Sequence, residues 1–117
     1  MWAYSRVDTI NKKYLETVKN AGIKTLCLGI ESGEQRVRFE VTKGKFKDMN
    51  IREVVDQVHE SGIEILGNYL FGLTADDHDS MKKTLDLSIE LNTLSWNAYP
   101  VMPLPGSQIF KEAKKNN

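Results

Sequence analysis

Two stretches decide the fold: Thr25 to Ile30, TLCLGI, and Ile63 to Phe71, IEILGNYLF. Both are too apolar to keep one wet face, the pattern of strands buried on both sides of a parallel sheet. Each is entered in the same way. The segment KNAGIKTL around Gly22 returns forty residues later as HESGIEIL around Gly62, with a helix end, a glycine stop and a strand start in the same order. The two copies point to one repeated unit.

Working outward, the spacing of Ile10, Tyr14, Val18 and Ala21 predicts a helix between Thr9 and Ala21, capped by Asp8 or Thr9 and stopped by Gly22. Asn50, with Glu53 three residues on, makes an approximate capping box ahead of the apolar stripe Ile51, Val54, Val55 and Val58. Thr74 or Asp77 caps a third predicted helix, with Met81, Leu85, Ser88, Ile89 and Leu91 along one side and Asn92 as its terminator. Ser95 to Val101, SWNAYPV, reads as a strand interrupted by Pro100, and MPLPG leads from it into a basic helix, Ser107 to Lys115. Trp2 to Ser5 reads as a short first strand. Four strands alternating with about four helices imply right-handed crossovers, a parallel sheet and an α/β fold in a single domain, residues 1–117.

A chain of 117 residues holds one core and is too short for a complete eight-repeat barrel. Its 16 Lys+Arg balance its 16 Asp+Glu, which argues against a partner gripped through nucleic-acid phosphates. No run approaches the ~18 apolar residues of a membrane span. The first twenty residues lack the apolar core of a signal peptide, so the expected location is cytoplasmic, with no membrane partner. Cys27 is the only cysteine, so neither an internal disulfide nor a CxxC metal site can form within the chain. Set mid-strand among leucines, it reads as a small buried hydrophobe, and His59 and His78 read as surface histidines.

A parallel sheet gathers Ser5-Arg6, Glu31-Ser32-Gly33, Asn68 to Thr74 and Tyr99 to Gly106 at the carboxyl ends of its strands, where open α/β sheets and barrels bind ligands. Glu31 is there either a ligand contact or the first exposed residue of a loop. Lys43-Gly44-Lys45 sits in the long connection to Asn50, as a functional loop or as a solvated basic turn. Asn68, polar among apolar neighbours, must find a partner or face a site, because burying it unpaired costs about 1–3 kcal/mol. Gly67 and Gly72 could let a ligand approach the backbone, although their spacing fits neither phosphate-loop pattern, and Gly72 reads more simply as a tight turn. Pro103, Pro105 and Gly106 form either a plain turn before a helix or a stiff loop whose free carbonyls suit an exocyclic amine. Asp76, Asp77 and Asp79 are accounted for by a helix start without invoking a metal.

Taken together, Ser5-Arg6-Val7-Asp8, AGIKTLCLGIESGEQRV, VTKGK, SGIEILGNYLFGLTADD and NAYPVMPLPGSQIF resemble the later two-thirds of a radical S-adenosylmethionine (radical SAM) core. The most specific pieces are LGIESG with Lys43 twelve residues after its acid, and YLFGLTADD, similar to the family's fifth strand with Thr74 in place of a proline. The phrasing is most similar to the subgroup that often carries a cobalamin-binding domain. The resemblance implies a partial TIM-like barrel, one half to two-thirds complete, running from the third to the sixth βα unit. It implies a set of contacts with S-adenosylmethionine: Arg6 on the ribose side, Glu31 against the cofactor, Lys43 with the methionine carboxylate, Asn68 at the ribose hydroxyls, and the backbone from Tyr99 to Val101 at the adenine.

The family's cluster motif, CxxxCxxC, is absent from this chain, so no [4Fe–4S] site can form on it and the chain alone is expected to be inactive. Within its parent, the implied chemistry is cleavage of S-adenosylmethionine to a 5′-deoxyadenosyl radical that modifies a substrate, with cobalamin as a further cofactor. Open sheet edges imply a homo-oligomer. Two competing readings are a self-sufficient α/β nucleotide-binding or interaction module, which lacks a phosphate-binding glycine loop, and a non-catalytic half-barrel scaffold.

Overall fold

The computed structural model describes residues 1–44 and 49–116. In chain order the elements are β1 (Trp2–Arg6), a single 3-10 turn (Val7–Thr9), α1 (Lys12–Asn20), β2 (Thr25–Glu31), α2 (Gln35–Val41), α3 (Ile51–Glu60), β3 (Glu64–Phe71), α4 (His78–Leu91), β4 (Ser95–Pro100) and α5 (Gln108–Asn116). The four strands pair in sequence order, all parallel, which leaves β1 and β4 as edges. This is the α/β architecture that the sequence predicts, four parallel strands alternating with helices.

The helix starts differ from expectation in instructive ways. Asn11 caps α1, its side chain accepting from Lys13 N, because Val7–Thr9 is taken up in the 3-10 turn and Asp8 is engaged by Arg6. Leu15, not Tyr14, is the buried residue of α1, and Tyr14 is exposed. Asn50 caps α3 by accepting from Glu53 N at 3.3 Å. Asp77 forms a full capping box with Ser80 at the start of α4. Asp76 is consumed nearby, accepting from the N–H groups of Gly72 and Leu73 and from the Ser80 hydroxyl, so the acidic run is spent on the turn. The buried stripe of α4 is Ser80, Thr84, Leu87, Ser88 and Leu91, while Leu85 and Ile89 are exposed. Helix α2, inside the connection from Glu31 to Asn50, is an element the periodicity did not announce.

Leu26, Leu28, Ile30, Ile65 and Tyr69 from the sheet pack against Leu15, Ile51, Val55, Val58, Leu87 and Leu91 from α1, α3 and α4. That core covers one face of the sheet. Tyr69, with none of its surface exposed, lays its ring over Gly67, where a β-carbon would come within 2.9 Å of it. The room at Gly67 is therefore filled by a side chain and is not an approach for a ligand. Ser95–Pro100 is followed by one more ladder bond, Val101 N to Phe71 O at 2.9 Å, and the proline sits at the strand's end, where its missing N–H costs the ladder least. Ser107 caps α5, accepting from Phe110 N at 3.1 Å.

Candidate functional site

The opposite face of the sheet carries a cleft to whose lining no α-helix contributes among the described residues. Its register rows run from apolar to polar along the strands: Tyr4, Cys27, Leu66 and Ser95 share one row, and Arg6, Gly29, Asn68 and Asn97 share the row nearer the carboxyl ends. Above the second row lies a cleft of about 640 Å³ lined by Tyr4, Ser5, Arg6, Thr9, Gly29, Glu31, Asn68 and Tyr99. Four of the six residues singled out in the sequence, Arg6, Glu31, Asn68 and Tyr99, thus meet on one surface.

Glu31 reaches it through an irregularity. Between Gly29 and Glu31 the pairing with β3 slips, and Glu31 has a left-handed backbone, φ 70°. Its carboxylate folds back over Gly29, where a β-carbon would lie 2.6 Å from Oε1. Glycine at that position is what seats the acid in the cleft. Burial pushes the Glu31 carboxyl above its usual range, and the positive charge of Arg6 opposes this only in part.

Arg6 stands on the polar row with its guanidinium forked onto Asp8, Nε donating to Oδ1 at 2.9 Å and Nη2 to Oδ2. The bond to Asp8 keeps Arg6 more firmly charged than usual. Asn68 finds its partner in a side chain: Asn97 Nδ2 donates to Asn68 Oδ1 at 3.0 Å. Gly29 lines the cleft, and Asp8 and Asn97 hold two of its side chains from outside it; the sequence flagged none of the three as site residues. Asp8 was spent on a helix cap, and register alone brings Asn97 beside Asn68.

Ser32 and Gly33, adjacent to Glu31, do other work. Gly33 N donates to Thr84 Oγ1 at 2.9 Å, the Ser32 and Thr84 hydroxyls bond at 3.1 Å, and a β-carbon on Gly33 would overlap the Lys83 backbone. The buried Arg38 donates to Ser32 O at 2.6 Å, and Lys83 pairs with Glu34. The turn after β2 is thereby fastened to α4, holding Glu31 at the rim.

Lys43 and Val101 are not on the cleft. Lys43, exposed and left-handed at φ 52°, lines a separate cavity of about 320 Å³ with Leu73, Thr74 and Ile109. Lys45 lies outside the described residues. Val101 is half-buried beside Phe71. Pro103, Pro105 and Gly106 line neither cavity. Cys27 is buried, its thiol pushed up by desolvation, and no group of His, Cys, Asp and Glu able to hold a metal occurs among the described residues. The cleft brings one cation, Arg6, one carboxyl, Glu31, and one amide, Asn68, onto one surface, with no cysteine lining it.

With the fold and cleft described, the solved structures supply the comparison. Coproporphyrinogen III oxidase (HemN) from Escherichia coli, a radical SAM enzyme, superposes with a TM-score of 0.76 at 19% identity, over 97% of this chain and 26% of that one. The fold is that of part of a radical SAM barrel. The radical SAM methyltransferase TsrM from Kitasatospora setae, solved with cobalamin and a [4Fe-4S] cluster, matches with a TM-score of 0.69 at 15% identity, over 87% of this chain and 21% of that one.

An uncharacterized methyltransferase of Pyrococcus horikoshii is 27% identical over 98% of this chain, and bacteriochlorophyllide d C-12(1)-methyltransferase of Chlorobaculum tepidum is 27% identical over 85%. A putative methylthiotransferase of Methanocaldococcus jannaschii is 24% identical over 73%. The chain spans 25%, 22% and 19% of the length of these three proteins. No protein-family model matches it. Among the described residues no helix is long and apolar enough to cross a membrane.

Proposed function

We propose that this chain is the S-adenosylmethionine-binding part of a radical SAM enzyme and that its open sheet face holds the nucleoside half of that cofactor. The observation that carries the reading is the convergence of Arg6, Glu31, Asn68 and Tyr99 on one cleft at the carboxyl edge of the sheet. In this reading the Tyr99 ring borders the adenine. Glu31 and Asn68, one an acceptor and the other an amide, meet the ribose hydroxyls. Arg6, locked by Asp8, sets the charge beside Glu31. Lys43, which lines a separate cavity and not this cleft, is the further contact proposed for the methionine carboxylate. In a parent enzyme a CxxxCxxC segment would hold the iron–sulfur cluster, which would supply the electron for the chemistry, while this chain's residues would bind and orient S-adenosylmethionine.

Titration of the chain with S-adenosylmethionine, followed by calorimetry or by amide shifts, tests the reading. Binding in the millimolar range is expected, worth only about 4 kcal/mol, because the parent's other contacts are missing. Glu31→Ala and Lys43→Ala should weaken it, whereas His59→Ala should not. Equal effects from all three, or tight binding of a flavin or nucleoside triphosphate instead, would overturn it. The two singly paired edge strands also support self-association of the isolated chain. Sedimentation showing only monomer would remove that part of the proposal.

A further inference from the structure

We propose that the cavity between α2, α3 and α4 is a binding site for a phosphate group, carried on a small molecule or free in solution. The cavity measures about 340 Å³, and Gly33, Arg38, Ile51, Arg52, Lys83 and Leu87 are among the residues that line it. It shares no lining residue with the cleft on the sheet, so the inference stands apart from the reading of that cleft.

Arg38 is the residue that decides it. Only 9% of its surface is exposed, and its Nη1 donates to Ser32 O at 2.6 Å. That bond uses one of the five N–H groups of a guanidinium. Among the described residues no carboxylate lies within ion-pair distance of Arg38, and neither its Nε nor its Nη2 is a fully enclosed atom lacking a partner. Its remaining N–H groups therefore open onto the cavity that Arg38 lines.

The other charges around the cavity are matched. Arg52 forks onto Glu90, with Nη2 donating to Oε2 at 2.6 Å, Lys82 donates to Asp86 at 2.6 Å, and Lys83 pairs with Glu34. Arg38 is left as a buried charge without a counter-ion, a costly arrangement that an anion in the cavity relieves. Burial lowers the pKa of its guanidinium, Glu34 opposes the shift, and the like charge of Arg52 adds to it. The start of α3 points the same way. Asn50 caps the helix by accepting from Glu53 N, while the amides of Ile51 and Arg52 meet no acceptor among the described residues. Free first-turn amides beside a guanidinium fork match the several oxygens of a phosphate. The volume stands at the low end of the ~300–1,000 Å³ of small-molecule sites, with room for a phosphate and a short group attached to it.

The test titrates the full chain with inorganic phosphate, glycerol 3-phosphate and acetate at equal ionic strength. Binding is read from the 15N amide signals of Gly33, Ile51 and Arg52, from the Arg38 Nε signal, and from the melting temperature. Phosphate should move these signals saturably, with half-saturation between about 0.1 and 10 mM, and raise the melting temperature. Tighter binding of glycerol 3-phosphate would name a phosphorylated small molecule as the ligand, and equal binding would name the free anion; both support the site. Arg38→Met, which keeps the length and removes the charge, should weaken binding by about tenfold or more, and Arg38→Lys, which keeps the charge and loses the fork, by less. An Arg38→Met chain that binds phosphate as the wild type does would overturn the assignment. Should that variant fail to fold, the wild-type signals still decide: shifts that grow linearly with concentration, or equal shifts from acetate, would reduce the effect to general screening and remove the site.

Discussion

The two faces of the sheet are built from the same four strands and obey different rules. The face under α1, α3 and α4 is closed with Leu28, Ile65 and Tyr69, and polar atoms survive there only as exceptions. The other face carries Arg6, Gly29, Asn68 and Asn97 in one row, bonded to each other or to near neighbours. Packing decides what the first face tolerates, while the second face presents polar side chains to a cleft. Substitutions should accordingly move stability on one face and ligand preference on the other.

The largest effect expected is from Leu28→Ala, at a fully buried position on the closed face, which should cost about 3 kcal/mol in urea denaturation. A cost below about 1 kcal/mol would mean the closed face is less well packed than described. Gly33→Ala should follow at about 2 kcal/mol, because the added carbon meets the Lys83 backbone, which cannot swing aside as a side chain would. It should also weaken S-adenosylmethionine binding by releasing Glu31, and an unchanged affinity would detach the turn from the site.

Tyr69→Phe runs the other way. The Tyr69 hydroxyl is buried without a partner, and desolvation pushes its pKa up to about 12. Removing it should raise stability by about 1 kcal/mol, and a loss of that size would show that the hydroxyl has a partner after all.

The smallest effect belongs to Glu31→Gln and is read through pH. The Glu31 carboxyl titrates above its ordinary 4.5 in the folded chain, so the protonated form is the one folding favours. Its contribution is fully present below 4.5 and is lost as pH rises through the raised value. The wild-type chain should therefore lose some stability on going upward through that window, and Glu31→Gln should lose less. Identical pH profiles for the two would place Glu31 in open solvent.

The closed face was largely legible in the sequence, because burial writes itself as apolar runs and glycine stops: TLCLGI, IEILGNYLF and the stripe of α3 are where the sequence places them. The open face was legible only residue by residue. Glu31, Asn68 and Tyr99 stand out at strand ends, but Asn97 gains its meaning from β3–β4 register and Gly29 from the fold-back of Glu31, both long-range facts. Helix α2 escaped notice because seven residues with two buried side chains, Val37 and Arg38, leave too little periodicity to read. Leu85 and Ile89 misled for the opposite reason, being apolar side chains on the side of α4 that the sheet does not cover.

Helix α5 has no buried residue, and the segment from Met102 to Gly106 that leads to it is exposed throughout. The stretch from Met102 to Asn116 is therefore attached to the sheet more by the chain than by contact. A protease acting on the native protein should cut first within MPLPGS or α5, leaving a resistant fragment that ends near Val101 and still contains all four strands.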